Sequence, residues 1–141
     1  MNWMESARRI QEDLKALSAF TATPGQGCTR LPFTPETRAA ADFLLKKMEE
    51  AGLKTWQDSA GNLFGLLPGR NRDKPCILCG SHYDSVPGGG NYDGIAGVVC
   101  AIELARVLQE EEVTPDADYL AAAFMDEEGC RFGSGYFGSK A

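Results

Sequence analysis

Three short segments carry the chemistry of this 141-residue chain, and its single histidine lies in the first of them. They read Gly80-Ser81-His82-Tyr83-Asp84, then Asn91-Tyr92-Asp93-Gly94, then Met125-Asp126-Glu127-Glu128-Gly129. One imidazole among several carboxylates is the donor set of a two-metal hydrolytic site. A complete site of that kind takes more nitrogen ligands than one histidine supplies.

His82 and Asp84 are two apart, so in extended chain both side chains fall on one face. The imidazole can offer a neutral ring nitrogen to a metal while Asp84 holds the other ring N–H and fixes the tautomer. Asp93 stands where a glycine-rich loop enters a helix, with Gly94 beside it to permit a tight bend. A carboxylate at such a corner can bridge two cations about 3.5–4 Å apart. Glu127 and Glu128 follow a hydrophobic run. At a strand end one of the two can ligate a metal while the other acts as general base.

The elements that position these groups follow from periodicity. Trp3, Ala7, Ile10, Leu14 and Leu17 recur at helical spacing and predict a helix near 2–18. Thr34-Pro35 reads as an N-cap and first helical residue, and that helix runs to Gly52. Leu53–Gln57 and Leu63–Leu67 flank a polar turn and read as a hairpin. Cys76–Ser81 reads as a buried strand, Val86–Gly90 as a loop, Ile95–Leu108 as a helix and Tyr119–Met125 as a strand. The fold class expected is α/β, a sheet flanked by helices, with one βαβ unit from 76 to 125. That unit puts the first and third segments at successive strand C-terminal ends, where open α/β sheets hold ligands. From Cys130 to Ala141 no closing element is expected, so the domain looks interrupted.

Composition narrows the function. A chain this long buries roughly 68–70% of its unfolded surface and suits a single domain. Twenty acidic against 14 basic residues, the latter scattered, give no footprint for nucleic acid. No apolar stretch reaches the ~18–20 residues of a membrane span, and no signal or transit pattern opens the chain. Five irregularly spaced cysteines do not resemble a disulfide framework and favour a reducing, cytoplasmic setting.

With these residues in view, the chain resembles the hydantoinase/carbamoylase family, within the dinuclear-zinc peptidase and aminoacylase group. The resemblance rests on Gly80 to Val86, Gly89 to Gly97 and Asp126 to Phe132. Thr29-Arg30-Leu31, Phe33 to Glu36, Asp58 to Leu63 and Gly138-Ser139-Lys140 add to it. It implies that His82 ligates one metal, Asp93 bridges, Glu128 ligates the other, Glu127 is the general base and Asp84 supports His82. It implies an amidohydrolase acting on linear amides, with an N-carbamoyl-L-amino acid or related ureido compound as substrate. The cofactors would be two divalent ions, Zn2+ or Mn2+, with Co2+ or Ni2+ equally suited by ligand type. Family members are longer. They carry two further histidine ligands, substrate-carboxylate residues and a dimerising lid domain beyond the matched part. Residues 1–141 would then be one partial catalytic domain of a homodimeric enzyme, inactive and weakly metal-binding when isolated. Two other readings stand beside this one: a truncated non-catalytic or vestigial interaction module, and a related aminoacylase or dipeptidase. An unpaired sheet edge would also permit self-association.

Other motifs read as structural. Cys76-Ile77-Leu78-Cys79 has CxxC spacing, but its cysteines face opposite sides of an extended run, so core packing is expected. Gly133 to Gly138 satisfies GxGxxG without the context of a dinucleotide site. Gly88-Gly89-Gly90 lacks the Lys-Ser/Thr of a P-loop. Trp3 and Trp56 are expected to pack, Cys130 to stay out of the metal site, and Arg30 and Asn62 to be structural.

Overall fold

A computed structural model describes residues 2–141. Helix α1 spans Trp3–Leu17 and α2 spans Pro35–Glu50. Strands β1 (Lys54–Gln57), β2 (Leu63–Leu67) and β3 (Ile77–His82) follow, then α3 (Ile95–Glu110) and β4 (Tyr119–Phe124). A short 3-10 turn at Gly138–Lys140 ends the chain. The Thr34 hydroxyl accepts from the Thr37 N–H while the Thr37 side chain accepts from the Thr34 N–H at 2.8 Å, a reciprocal cap on α2. Asp58 closes the hairpin by accepting the Ala60 and Asn62 N–H groups, each at 2.9 Å.

The sheet order is β1-β2-β4-β3, with β3 and β4 parallel and the other pairs antiparallel. The expected hairpin and βαβ unit are both present, and α3 is the crossover. One apolar cluster joins Leu14 and Leu17 of α1, Leu44 and Met48 of α2 and Val98 and Ile102 of α3 to Leu63, Leu67, Tyr119, Ala121 and Ala123. Those strand residues share one sheet face, so all three helices pack on that side. On the other side Trp56 stacks on Phe64, with ring centroids 5.2 Å apart, and Phe124 meets Phe64 edge-on. Small residues let the backbones close up: a Cβ on Gly80 would overlap the Ala122 carbonyl.

Three expectations are corrected. The β3 strand is not buried: it is the edge strand, and Ile77 and Leu78 are each 51% exposed. Its apolar composition reads as a strand covered on both sides, but among the described residues only β4 pairs with it. For the same reason Cys76 of the CxxC pair is exposed, while the half-buried Cys79 does pack against the core. Trp3 is also exposed, because the stripe of α1 becomes buried only from Leu14 onward.

Arg30 has the structural role expected of it. Buried at 2% exposure, it donates Nε–H to the Tyr83 carbonyl at 2.6 Å and Nη1–H to the Leu17 and Phe20 carbonyls. It thereby ties the end of α1 to the segment between His82 and Asp84. Arg30→Ala leaves three carbonyls without that donor, and we expect a loss of about 3 kcal/mol or more. Urea denaturation measures it, and a loss under about 1 kcal/mol would show that solvent replaces the guanidinium.

Candidate metal centre

His82 is the last residue of β3, Asp93 precedes α3, and Glu127 and Glu128 follow β4. The parallel pairing sets His82 opposite Phe124, so both strands deliver their loops to one sheet edge. One donor atom from each of His82, Asp93 and Glu128 lies within 4.8 Å of the others. The His82 Nε2 is 4.0 Å from Asp93 Oδ1 and 3.8 Å from Glu127 Oε2. All five residues singled out from the sequence, Asp84 included, therefore converge.

Asp84 does more than orient the ring. The His82 Nδ1 faces the Asp84 backbone carbonyl at 3.1 Å and its carboxylate at 3.5 Å, so the nearer acceptor is the carbonyl. Two acceptors on that side place the proton on Nδ1 and leave the Nε2 lone pair towards Asp93 and Glu127. The fully buried Asp84 carboxylate meanwhile accepts the backbone N–H groups of Glu127, at 3.1 Å, and Glu128, at 3.3 Å. Asp126 just before them has φ +56°. That left-handed residue turns the chain out of β4 and allows adjacent glutamates to serve one site, which regular strand alternation forbids.

The electrostatics follow from four carboxylates around one imidazole. Burial pulls the His82 pKa down, but the hydrogen bond and charge of Asp84, with Glu127, outweigh it and hold it above the ordinary value. Burial pushes the Asp84 pKa up, but His82 and the two backbone N–H groups bring it below the usual range. Glu128 is raised by burial and by the neighbouring Glu127 and Asp93 carboxylates, against the pull of His82. Like charges crowded beside one imidazole are relieved by a divalent cation, and carboxylate and imidazole donors are the chemistry that fits one. Cys130 is exposed and is not among the clustered donors.

Two features were not legible beforehand. The segment after the glutamates folds back on their loop: Tyr136, Phe137 and Gly138 donate backbone N–H to the carbonyls of Glu127, Asp126 and Met125 at 2.8–3.0 Å. Asn62 pins that segment, donating to the Gly138 carbonyl at 3.0 Å and accepting from the Met125 N–H at 3.0 Å. The glycines at 129, 135 and 138, where a Cβ would overlap the facing segment, were the hint of so close an approach. Asp126 is also buried, with neither carboxylate oxygen hydrogen-bonded, and burial and Asp84 together raise its pKa.

The chain is similar to known proteins in sequence and in fold. Residues 62–141 match peptidase family M28. An N-carbamoyl-L-amino-acid amidohydrolase of Paenarthrobacter aurescens is 44% identical over 135 residues, covering 96% of this chain and 32% of that protein. An allantoate amidohydrolase of Escherichia coli (strain K12) is 38% identical over 93% of this chain and 32% of its own length. The crystal structure of a hydantoinase/carbamoylase family amidase from Burkholderia ambifaria superimposes with a TM-score of 0.89 at 32% identity, covering 95% of this chain and 33% of that one. The chain thus spans about a third of the length of these relatives.

The single imidazole makes the electrostatics measurable by proton NMR. In the metal-free chain we expect His82 to titrate above 6.5, and Asp84→Asn to lower its midpoint, because burial then acts with less opposition. The raised His82 pKa contributes stability that is complete below 6.5 and lost as pH rises through the folded value. The lowered Asp84 pKa contributes stability present above 3.8 and lost as pH falls through its folded value. An Asp84→Asn midpoint at or above the wild-type one would refute the assignment.

Proposed function

We propose, from the premise that the chain belongs to peptidase family M28 and, by its relatives, to the hydantoinase/carbamoylase amidases, that it carries part of a metal-dependent active site for hydrolysing ureido or amide C–N bonds. The convergence of His82, Asp93 and Glu128 within 4.8 Å, with Glu127 beside the imidazole, carries this reading. The substrate class we infer is an N-carbamoyl-L-amino acid or a related ureido acid.

His82 Nε2, Asp93 and Glu128 are the groups that would hold divalent ions, with Asp93 between them. When bound, such ions polarise a carbonyl and lower the pKa of a water. Glu127 is free for proton transfer: its backbone is fixed through Asp84 while its side chain remains partly exposed at the site. Its carboxylate takes a proton from the attacking water and returns it to the leaving nitrogen. Asp84 and the carbonyl beside it keep the His82 proton on Nδ1. A carbamoyl substrate would yield an amino acid, ammonia and carbon dioxide.

One observation favours a second reading. Among the described residues β3 has one paired side, with Ile77 and Leu78 exposed at the end of the strand away from a three-residue donor set, which suits a non-catalytic interaction role in which this chain self-associates.

A chimera tests the first reading: this chain replaces the aligned third of the Paenarthrobacter aurescens relative. We expect the chimera, supplied with zinc or manganese, to release ammonia from N-carbamoyl-L-amino acids and to leave dipeptides intact. Glu127→Gln in it should lower kcat by about 10²–10⁴ while metal content holds. Dipeptide cleavage instead would move the assignment to the peptidases, and unchanged kcat would remove Glu127 from its role. We expect no turnover from the isolated 141-residue chain. Size-exclusion chromatography over a concentration series tests the second reading, for which a monomer throughout is the refuting outcome.

A further inference from the structure

Gly94 has no place among the ligands, yet its backbone forms the seat of the imidazole. Its φ of +65° and ψ of −57° put it at the centre of a γ-turn of the rare positive-φ kind. The Ile95 N–H closes that turn by donating to the Asp93 carbonyl at 2.7 Å. A Cβ built on Gly94 would stand 2.5 Å from His82 Cδ2 and closer still to Cε1 and Nε2. Those are the ring atoms on the side that faces Asp93 and Glu127. No side chain caps α3, so the turn and the ring against it define how the helix begins.

We propose that Gly94 is a positioning residue of the metal centre: its missing Cβ lets the His82 ring seat on the turn that carries Asp93, setting Nε2 at ligating distance from that carboxylate. This rests on reading His82, Asp93 and Glu128 as metal ligands. Two separate constraints meet at this position. The positive φ disfavours any L side chain, while the ring excludes a Cβ by volume. Only the second couples residue 94 to residue 82.

A double-mutant cycle separates them. Gly94→Ala should lower the Tm in the wild-type background and clearly less in the His82→Ala background, because without the ring only the backbone strain remains. Gly90→Ala, in the same loop with nothing within 4 Å of its Cβ, should change neither stability nor metal binding. The second readout is ring position. A nuclear Overhauser contact between the Gly94 Hα and the His82 ring should be present in the metal-free wild type. The third is affinity for Co2+ alone, which Gly94→Ala should weaken about 10- to 100-fold, as loss of an orienting partner does.

An equal Tm loss in both backgrounds would overturn the proposal, as would absence of the ring contact. So would failure of Gly94→Ala to fold in both backgrounds. Folding of His82→Ala/Gly94→Ala where Gly94→Ala alone does not fold would support it. Ring position and the stability cycle need neither metal nor turnover. An inactive chimera with the ring contact intact would count against the proposed reaction and leave the seat of His82 standing.

Discussion

The buried carboxylate of Asp84 is the interaction on which the rest of the site depends. A fully buried ionised group survives only if its charge is met, and isolated burial would cost several kcal/mol. Here the Glu127 and Glu128 N–H groups and the His82 ring meet it. The compensation is also the positioning. By satisfying Asp84 the chain is obliged to bring the end of β3 and the loop after β4 to one place. Arg30 holds the Tyr83 carbonyl from behind and prevents that segment from relaxing outward.

A second constraint acts on the same loop from the far side. Leaving β4 through a left-handed Asp126 is unfavourable for a non-glycine residue. The paired segment from Tyr136 to Gly138, locked by Asn62, holds the turn in that state. Strain at a functional loop persists where its surroundings over-determine it, and here both flanks are hydrogen-bonded. The glutamates are thus presented by a stiff loop, although they stand at the surface of a small sheet.

The electrostatic consequence is a site poised for cations. Four carboxylates gather where the protein itself contributes one imidazole and the N-terminal end of α3, whose partial positive charge offsets only a fraction of theirs. The helices lie on one face of the sheet, and the ion pairs Arg9–Glu103, Arg106–Asp13 and Lys47–Asp13 lie among them. None of these basic groups is spent on the site. The negative charge there is therefore left for a ligand to balance.

Much of this was legible in the residues themselves. The Thr34-Pro35 cap, the hairpin turn at Asp58 and the strand–helix–strand order from β3 to β4 are local patterns, set by φ preferences and by periods of 2 and 3.6. The convergence of His82, Asp84, Asp93, Glu127 and Glu128 followed from that order, because parallel strands deliver their C-terminal ends to one edge. Local pattern could not show that β3 lies at the edge, because strand order depends on which partners are present. Nor could it show Asp84 gripping two backbone amides, Asn62 pinning Gly138, 76 positions away, or Gly94 leaving room for the imidazole. Those are contacts between segments far apart in the chain. The sequence by itself determined which groups could do the chemistry and at which end of the sheet. Only tertiary packing decided which of them touch, because burial and close approach are properties of the assembled backbone rather than of any one segment.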